Sequence, residues 1–150
     1  MELKKAKQFD EYLDWLNDLK SRIQKTQIKA ALSVNSEMIK LYWDIGKDLY
    51  EKQKDKGWGN SIVENLSKDL KAAFPNLKGF SRRNLFYMKK FFQFYRSDFE
   101  KVQQLVAQIP WGHNVLIISK SQNIKEALFY LNATLENNWS REILDIQIGG

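Results

Sequence analysis

Apolar residues recur at three- and four-residue steps along almost the whole chain, the period of an amphipathic α-helix. In residues 8–25 the repeat is Phe9, Tyr12/Leu13, Leu16, Leu19 and Ile23, with Asp10, Glu11, Asp14, Asp18 and Arg22 on the opposite face. Acids early and bases late in this stretch suit the helix dipole. Residues 26–56 continue with Ile28, Leu32, Met38, Leu41/Tyr42, Ile45 and Leu49, which predicts one long helix bent near residues 33–36. Residues 57–60 (GWGN) read as a turn, with Trp58 as a packing anchor and Asn60 or Ser61 as the cap of the next helix. Ser61 stands three residues before Glu64, the capping-box spacing.

The second half divides into shorter helices. Residues 61–73 turn Ile62, Val63, Leu66 and Leu70 inward, and Pro75-Asn76 ends them. Gly79 offers a sharp bend, and Ser81 is placed to cap a helix over 82–96. That helix has an apolar stripe of Leu85, Met88, Phe92 and Tyr95, with Arg83, Phe86, Tyr87, Lys90 and Phe94 on the far side. Residues 99–108 form a further short helix, stopped at Ile109-Pro110. The apolar run VLII fits a buried strand or a helix over 112–120; the helix is preferred because no second strand is there to pair. Residues 123–137 place Ile124, Ala127, Leu128, Leu131 and Leu135 inward. Ser140 caps a last helix, although Ile143 occupies the position where a full capping box needs Glu or Gln. Trp139, Ile143, Leu144 and Ile148 are expected to close the core. With two prolines and seven glycines in 150 residues, the expected fold is all-α. It is a single multi-helix domain over residues 1–150, with a long N-terminal helix and a helix-turn-helix-like unit.

Composition narrows the class. Apolar residues at 43% and aromatics at 13% supply a core and argue against disorder. There is no cysteine, so neither a disulfide framework nor a thiolate metal site is expected. No apolar signal core opens the chain and no run approaches membrane-spanning length, so a cytoplasmic protein without membrane contact is expected. A helix of about 30 residues spans roughly 45 Å. That exceeds the width of a compact domain of this size, which makes a homodimer a candidate assembly.

Charge changes the picture most. The net charge is +6, but residues 70–97 hold seven Lys or Arg and no Asp or Glu. Residues 1–69 carry 13 bases and 12 acids, and residues 98–150 carry four and six. The whole positive excess therefore lies in one window, and a polyanion is the expected partner. Helix, turn with glycine, helix is the outline of a helix-turn-helix unit, though many helical hairpins share it. In such a unit the first turn of the second helix reaches base edges, and here it holds Arg82, Arg83 and Asn84. Lys78, Ser81, Arg82, Arg83, Asn84, Tyr87, Lys89 and Lys90 are the candidate nucleic-acid contacts, DNA being the first candidate. The competing reading buries Phe86 and Phe94 and leaves the bases as a rim around a structural helix.

Catalysis is not expected. Asp44, Asp48 and Glu51 recur at helical spacing, but no histidine or further carboxylate joins them, and a solvated face paired with Lys40, Lys47 and Lys52 explains them. The lone His113 has no nucleophile beside it and reads as a capping or hydrogen-bonding group. Gly-Trp-Gly is too short for a phosphate loop. No catalytic residue, metal site or cofactor is assigned.

Four strings, LYWDIGKDL, GWGNSIVENLSKDLKAAFPNLKGFSRRNLFYMKKF, LVAQIPWGHNVLI and ENNWSREILDIQI, occur in order over about residues 28–148. Together they resemble the N-terminal domain of the YhcG-like bacterial proteins. In that family the domain precedes a C-terminal nuclease domain of the PD-(D/E)xK type. This chain has no Pro-Asp step, since Pro75 is followed by Asn76 and Pro110 by Trp111, and it has no (D/E)xK element after them. Carboxylates that hold Mg²⁺ for such chemistry are therefore not expected here. The resemblance implies an accessory domain rather than a catalyst, either an isolated domain or a truncated relative. The family's SRRN and WGHN segments correspond to residues 81–84 and 111–114, and the resemblance gives neither a role.

Overall fold

The computed structural model describes the backbone of residues 2–149 except Trp58 and Leu77, and the side chains of these residues apart from 4, 5, 8, 9, 14–34 and 56. Seven helices are present among the described residues: α1 (Glu2–Lys56), α2 (Ser61–Ala73), α3 (Arg82–Tyr95), α4 (Phe99–Val106), α5 (Trp111–Lys120), α6 (Ile124–Asn137) and α7 (Arg141–Gly149). The fold is all-α, as the periodicity predicts. The VLII run lies in α5, so the helical alternative holds there.

Two expectations about the N-terminal stretch change. The separate helices over 8–25 and 26–56 are one helix, α1. No proline interrupts it and its first glycine is Gly46, so nothing in the sequence terminates it at the expected join. Tyr12 and Leu13 of the proposed apolar face are exposed. Phe9, Leu16, Leu19, Ile23, Ile28 and Leu32 lie outside the described side chains, as does Trp58.

The chain divides into two compact units, Met1–Val34 and Asn35–Gly150. The described residues of the first belong to α1, and Leu3, Tyr12 and Leu13 among them are exposed. The second contains two buried clusters. One gathers Ile39 of α1, Phe91 and Tyr95 of α3, Val102 and Val106 of α4, Ile117 and Ile118 of α5, Leu131 of α6 and Leu144 of α7. The other joins Tyr42 and Leu49 of α1, Val63 of α2, Phe80, and Leu85 and Met88 of α3. Helix α3 serves both clusters and packs on α2 and α5. Burying each such side chain contributes roughly 1.5–3 kcal/mol.

Capping departs from expectation at one end, matches it at two, and adds one cap the pattern did not assign, Asn123. Asn60 makes no side-chain cap, and Ser61 is already the first residue of α2, so the capping box does not form. Glu64 turns instead toward Arg82. Ser81 caps α3 by accepting from the Asn84 N–H at 3.1 Å. Asn123 caps α6 through Glu126 N–H, and Ser140 caps α7 through Ile143 N–H at 3.2 Å. Ile143 does not close the core: it is exposed, and Leu144 is the fully buried residue of that turn.

Two glycines are required by close approach. A Cβ on Gly46 would penetrate the Met88 carbonyl, so α1 and α3 meet backbone to backbone there. Gly79 has φ +107° and lies against the Tyr42 hydroxyl, which excludes a side chain on both counts. Gly46→Ala should therefore destabilise the protein by about 1–3 kcal/mol, the usual cost of overpacking a rigid contact. Gly59→Ala, where an added Cβ meets nothing, is the control. Urea melts of the two variants check this; equal midpoints would mean that α1 and α3 do not meet as described.

Candidate nucleic-acid interface

Helix α3 divides by face with two exceptions: Phe94 and Phe86, expected on the far side, are half-buried and pack against the first and second buried clusters. Leu85, Met88, Phe91, Phe92 and Tyr95 are buried. Phe91 completes the inward stripe, a position the expected four-residue stripe left out. Arg82, Phe86 and Lys90 fall at i, i+4 and i+8, and Arg83 and Tyr87 form the adjoining row. These five side chains line one shallow depression of about 390 Å³. Three are cations and two are aromatic.

Each arginine lies over the ring one turn further along. The Arg82 guanidinium is 5.7 Å from the Phe86 ring centre, and that of Arg83 is 5.6 Å from the Tyr87 ring centre. Arg83 also donates to the Tyr87 hydroxyl at 3.3 Å. That hydrogen bond holds the Tyr87 hydroxyl below its ordinary pKa. Slight burial opposes the shift, and the charges of Arg83 and Lys90 and a contact with Ser119 add to it. Arg82 pairs with Glu64 at 3.1 Å, but both side chains are more than half exposed. Exposed pairs of this kind contribute little and are readily exchanged.

The remaining candidates do not join this depression. Ser81 spends its hydroxyl on the cap. Asn84 is half-buried; its amide donates to the Gly79 carbonyl at 2.6 Å and accepts from the Trp111 indole N–H at 2.7 Å. Lys78 is exposed in the connecting segment, and Lys89 is half-buried beside Met88. Outside this set, Arg96 donates to the Tyr50 hydroxyl and lies over its ring, and Lys71 is exposed on α2.

The connection between α2 and α3 is longer than in a helix-turn-helix unit. It comprises residues 74–81, eight in all, where such units use three or four. The segment is held by Ser67, which donates to the Phe80 carbonyl at 2.6 Å, and by Phe80 itself, which is buried.

The WGHN segment is a junction. Trp111 sits edge-on to Tyr42 and Phe91 while bonding Asn84. His113 donates from Nε2 to the Trp139 carbonyl at 3.0 Å. Asn114, fully buried, donates to the carbonyls of Val106 and Ile109 at 2.9 and 3.3 Å. Asn35 donates to the carbonyls of Ala107 and Ile109. These two amides satisfy the open carbonyl end of α4. A polar residue inside the apolar run of α5 was the available sign for Asn114; Asn35 offered none.

Residues 18–150 match the family described as the DUF1016 N-terminal domain. The chain belongs to that family. This is the N-terminal domain of the YhcG-like proteins that the quoted strings resemble. No curated protein and no solved structure gave a match. In this DUF1016 N-terminal domain, the SRRN and WGHN segments meet through the Asn84–Trp111 hydrogen bond. No group of three or more His, Asp or Glu able to hold a metal ion exists among the described residues, and Asp44, Asp48 and Glu51 are exposed. No helix among the described residues is long and apolar enough to cross a membrane.

Two larger or comparable depressions have different chemistry. One of about 540 Å³ is lined by residues that include Trp43, Phe99, Lys40 and Asp44, where one base faces one acid. Another, of about 360 Å³, includes His113, Thr134 and Trp139 and contains no cation of the Lys or Arg type. Only the α3 depression concentrates positive charge among the three.

Two outcomes follow from this geometry. Trp111→Phe keeps a ring but removes the indole N–H, leaving the Asn84 carbonyl oxygen without its donor. The cost should be about 1–3 kcal/mol in a denaturant melt. In a spectroscopic titration of the tyrosines, Tyr87 should ionise below the ordinary tyrosine range, and Arg83→Ala should move it back up. A Tyr87 that titrates identically in both proteins would show that Arg83 does not engage it.

Proposed function

We propose that this chain is a non-catalytic accessory domain that binds nucleic acid, DNA first among the candidates, through the outward face of α3. In a full-length YhcG-like protein it would hold an attached nuclease against its substrate, in the cytoplasm. The observation that carries the reading is the convergence of Arg82, Arg83 and Lys90 on one depression, with Glu64 as the carboxylate paired to this set. Lys78 and Lys89 flank the same end and the same helix and extend the positive field. Phosphate oxygens are the ligands such a field attracts, and counterions leave as they bind.

Salt dependence tests this directly. Three to five phosphate contacts predict a log–log slope of about −3 to −4.5 on duplex DNA. Arg83→Glu with Lys90→Glu should abolish binding at moderate salt without changing the melting temperature by more than a few degrees, since both groups are on the surface. Binding that ignores salt, or that survives this charge reversal, overturns the proposal.

A second reading has its own observation. Phe129 is 64% exposed on α6 and Ile146 is 67% exposed on α7, with Ile143 also outward. These are candidate contacts of a protein-interaction or homodimer module that uses no nucleic acid. Under that reading sedimentation shows an oligomer at micromolar concentration, and Phe129→Glu with Ile146→Glu returns it to monomer. A monomer before mutation excludes self-association at that face.

A further inference from the structure

The proposed contact surface carries chemistry that a double helix cannot use. A duplex presents its phosphates outward and keeps the faces of its bases stacked on one another. Reading its edges from a helix in the major groove takes forked donors on the first turn of that helix. Here Asn84 is committed elsewhere, since both ends of its amide are bonded, to Gly79 and to Trp111. Ser81 accepts the cap hydrogen bond of the helix. Arg82 and Arg83 stay exposed on that turn, each resting over an aromatic ring. The eight-residue connection before α3 also differs from the tight turn that sets a recognition helix into the groove.

What the face does offer is two aromatic rings from successive residues, Phe86 and Tyr87, both half-buried, with Phe86 also packed against the second buried cluster. They share a depression with Arg82, Arg83 and Lys90. Aromatic platforms alternating with cations are the physical recipe for holding an unpaired strand. Bases stack on the rings whatever their identity, and the cations follow the phosphates. The guanidiniums now rest over the rings, at 5.7 and 5.6 Å from their centres. An entering base takes the ring face and its phosphate takes the guanidinium, so each exposed cation–π contact is exchanged for one stacking contact and one charge-assisted hydrogen bond. Arg82 gives up only an exposed partner, Glu64, in doing so.

We infer that the α3 face binds the unpaired strand of a nucleic acid, with two successive bases stacked on Phe86 and Tyr87 and little dependence on base sequence. The inference rests on the nucleic-acid reading and adds the class of strand. The ends, gaps and branches at which an attached nuclease would act expose such a strand.

The test is an anisotropy titration of the whole chain with a labelled single-stranded oligonucleotide and with the duplex of the same sequence, each at two salt concentrations. The single strand should bind at least about tenfold more tightly than the duplex, with a salt slope near −2 for three phosphates at about −0.7 each. Phe86→Leu with Tyr87→Leu should weaken the single strand by about tenfold or more, the loss expected for removing two stacking platforms. The same pair should leave the salt slope unchanged and should weaken the duplex far less than the single strand. Phe86→Tyr with Tyr87→Phe keeps both rings and should retain the wild-type preference, which separates stacking from a general disturbance of α3. Equal or tighter duplex binding, or a leucine pair that weakens both probes alike or neither, overturns the inference while leaving nucleic-acid binding in place. No binding of either probe at low salt overturns the nucleic-acid reading itself, and this inference with it.

Discussion

The Asn84–Trp111 hydrogen bond joins the two segments on which the rest of the Asn35–Gly150 unit depends. Asn84 sits in the first turn of α3 and Trp111 begins α5, so the bond fixes how the start of one helix meets the start of another. Its other hand holds the Gly79 carbonyl, which locks the connection leaving α2. Trp111 in turn packs against residues of both buried clusters, Tyr42 on one side and Phe91 on the other. A half-buried amide with both ends satisfied helps to orient its neighbours. It thereby supports, together with the buried stripe of α3, the direction in which the opposite face of that helix points.

That opposite face can remain open because the inner one is so fully used. Five of the fourteen residues of α3 are buried, and four of them feed two clusters rather than one. A helix anchored at that density needs nothing from its outer side. Arg82, Arg83 and Lys90 are exposed there and Phe86 serves both sides, since it also packs against the second cluster. The same logic explains why Ser81 and Asn84, equally prominent in the sequence, belong to the fold: they sit at the helix start, where open N–H groups and an irregular approach segment demand local partners.

Most helices, and the division of α3 into inner and outer faces apart from Phe91 and Phe94, were legible from spacing alone, because 3.6-residue periodicity is a property of neighbouring positions. Leu85, Met88 and Tyr95 are inside as the pattern implies, and Lys90 and Arg83 are outside. The continuity of α1 past residue 25 was not legible, since a modest shift in apolar phase reads like a boundary when tertiary packing is unseen. Long-range polar pairing was not legible either. Nothing near Asn84 in sequence announces a tryptophan 27 positions later, and the same holds for Glu64 and Arg82, 18 apart. Candidate sites chosen by residue type alone therefore mixed surface cations with structural amides, and only geometry sorts them.

The sorting bears on what kind of contact this face can make. Affinity built from fixed, buried donors is sequence-selective, because an unmatched donor is costly once water is gone. Affinity built from exposed cations and open rings is tolerant, because phosphates and base faces are the same at every step of a strand. In this chain the fixed donors, Asn84, Asn35 and Asn114, all point into the protein and close its own backbone or side-chain groups. The groups left facing outward on α3 are of the second kind. On α3 the outward groups are cations and rings rather than buried amides, and the partners that Arg82 and Arg83 hold there are exposed and exchangeable.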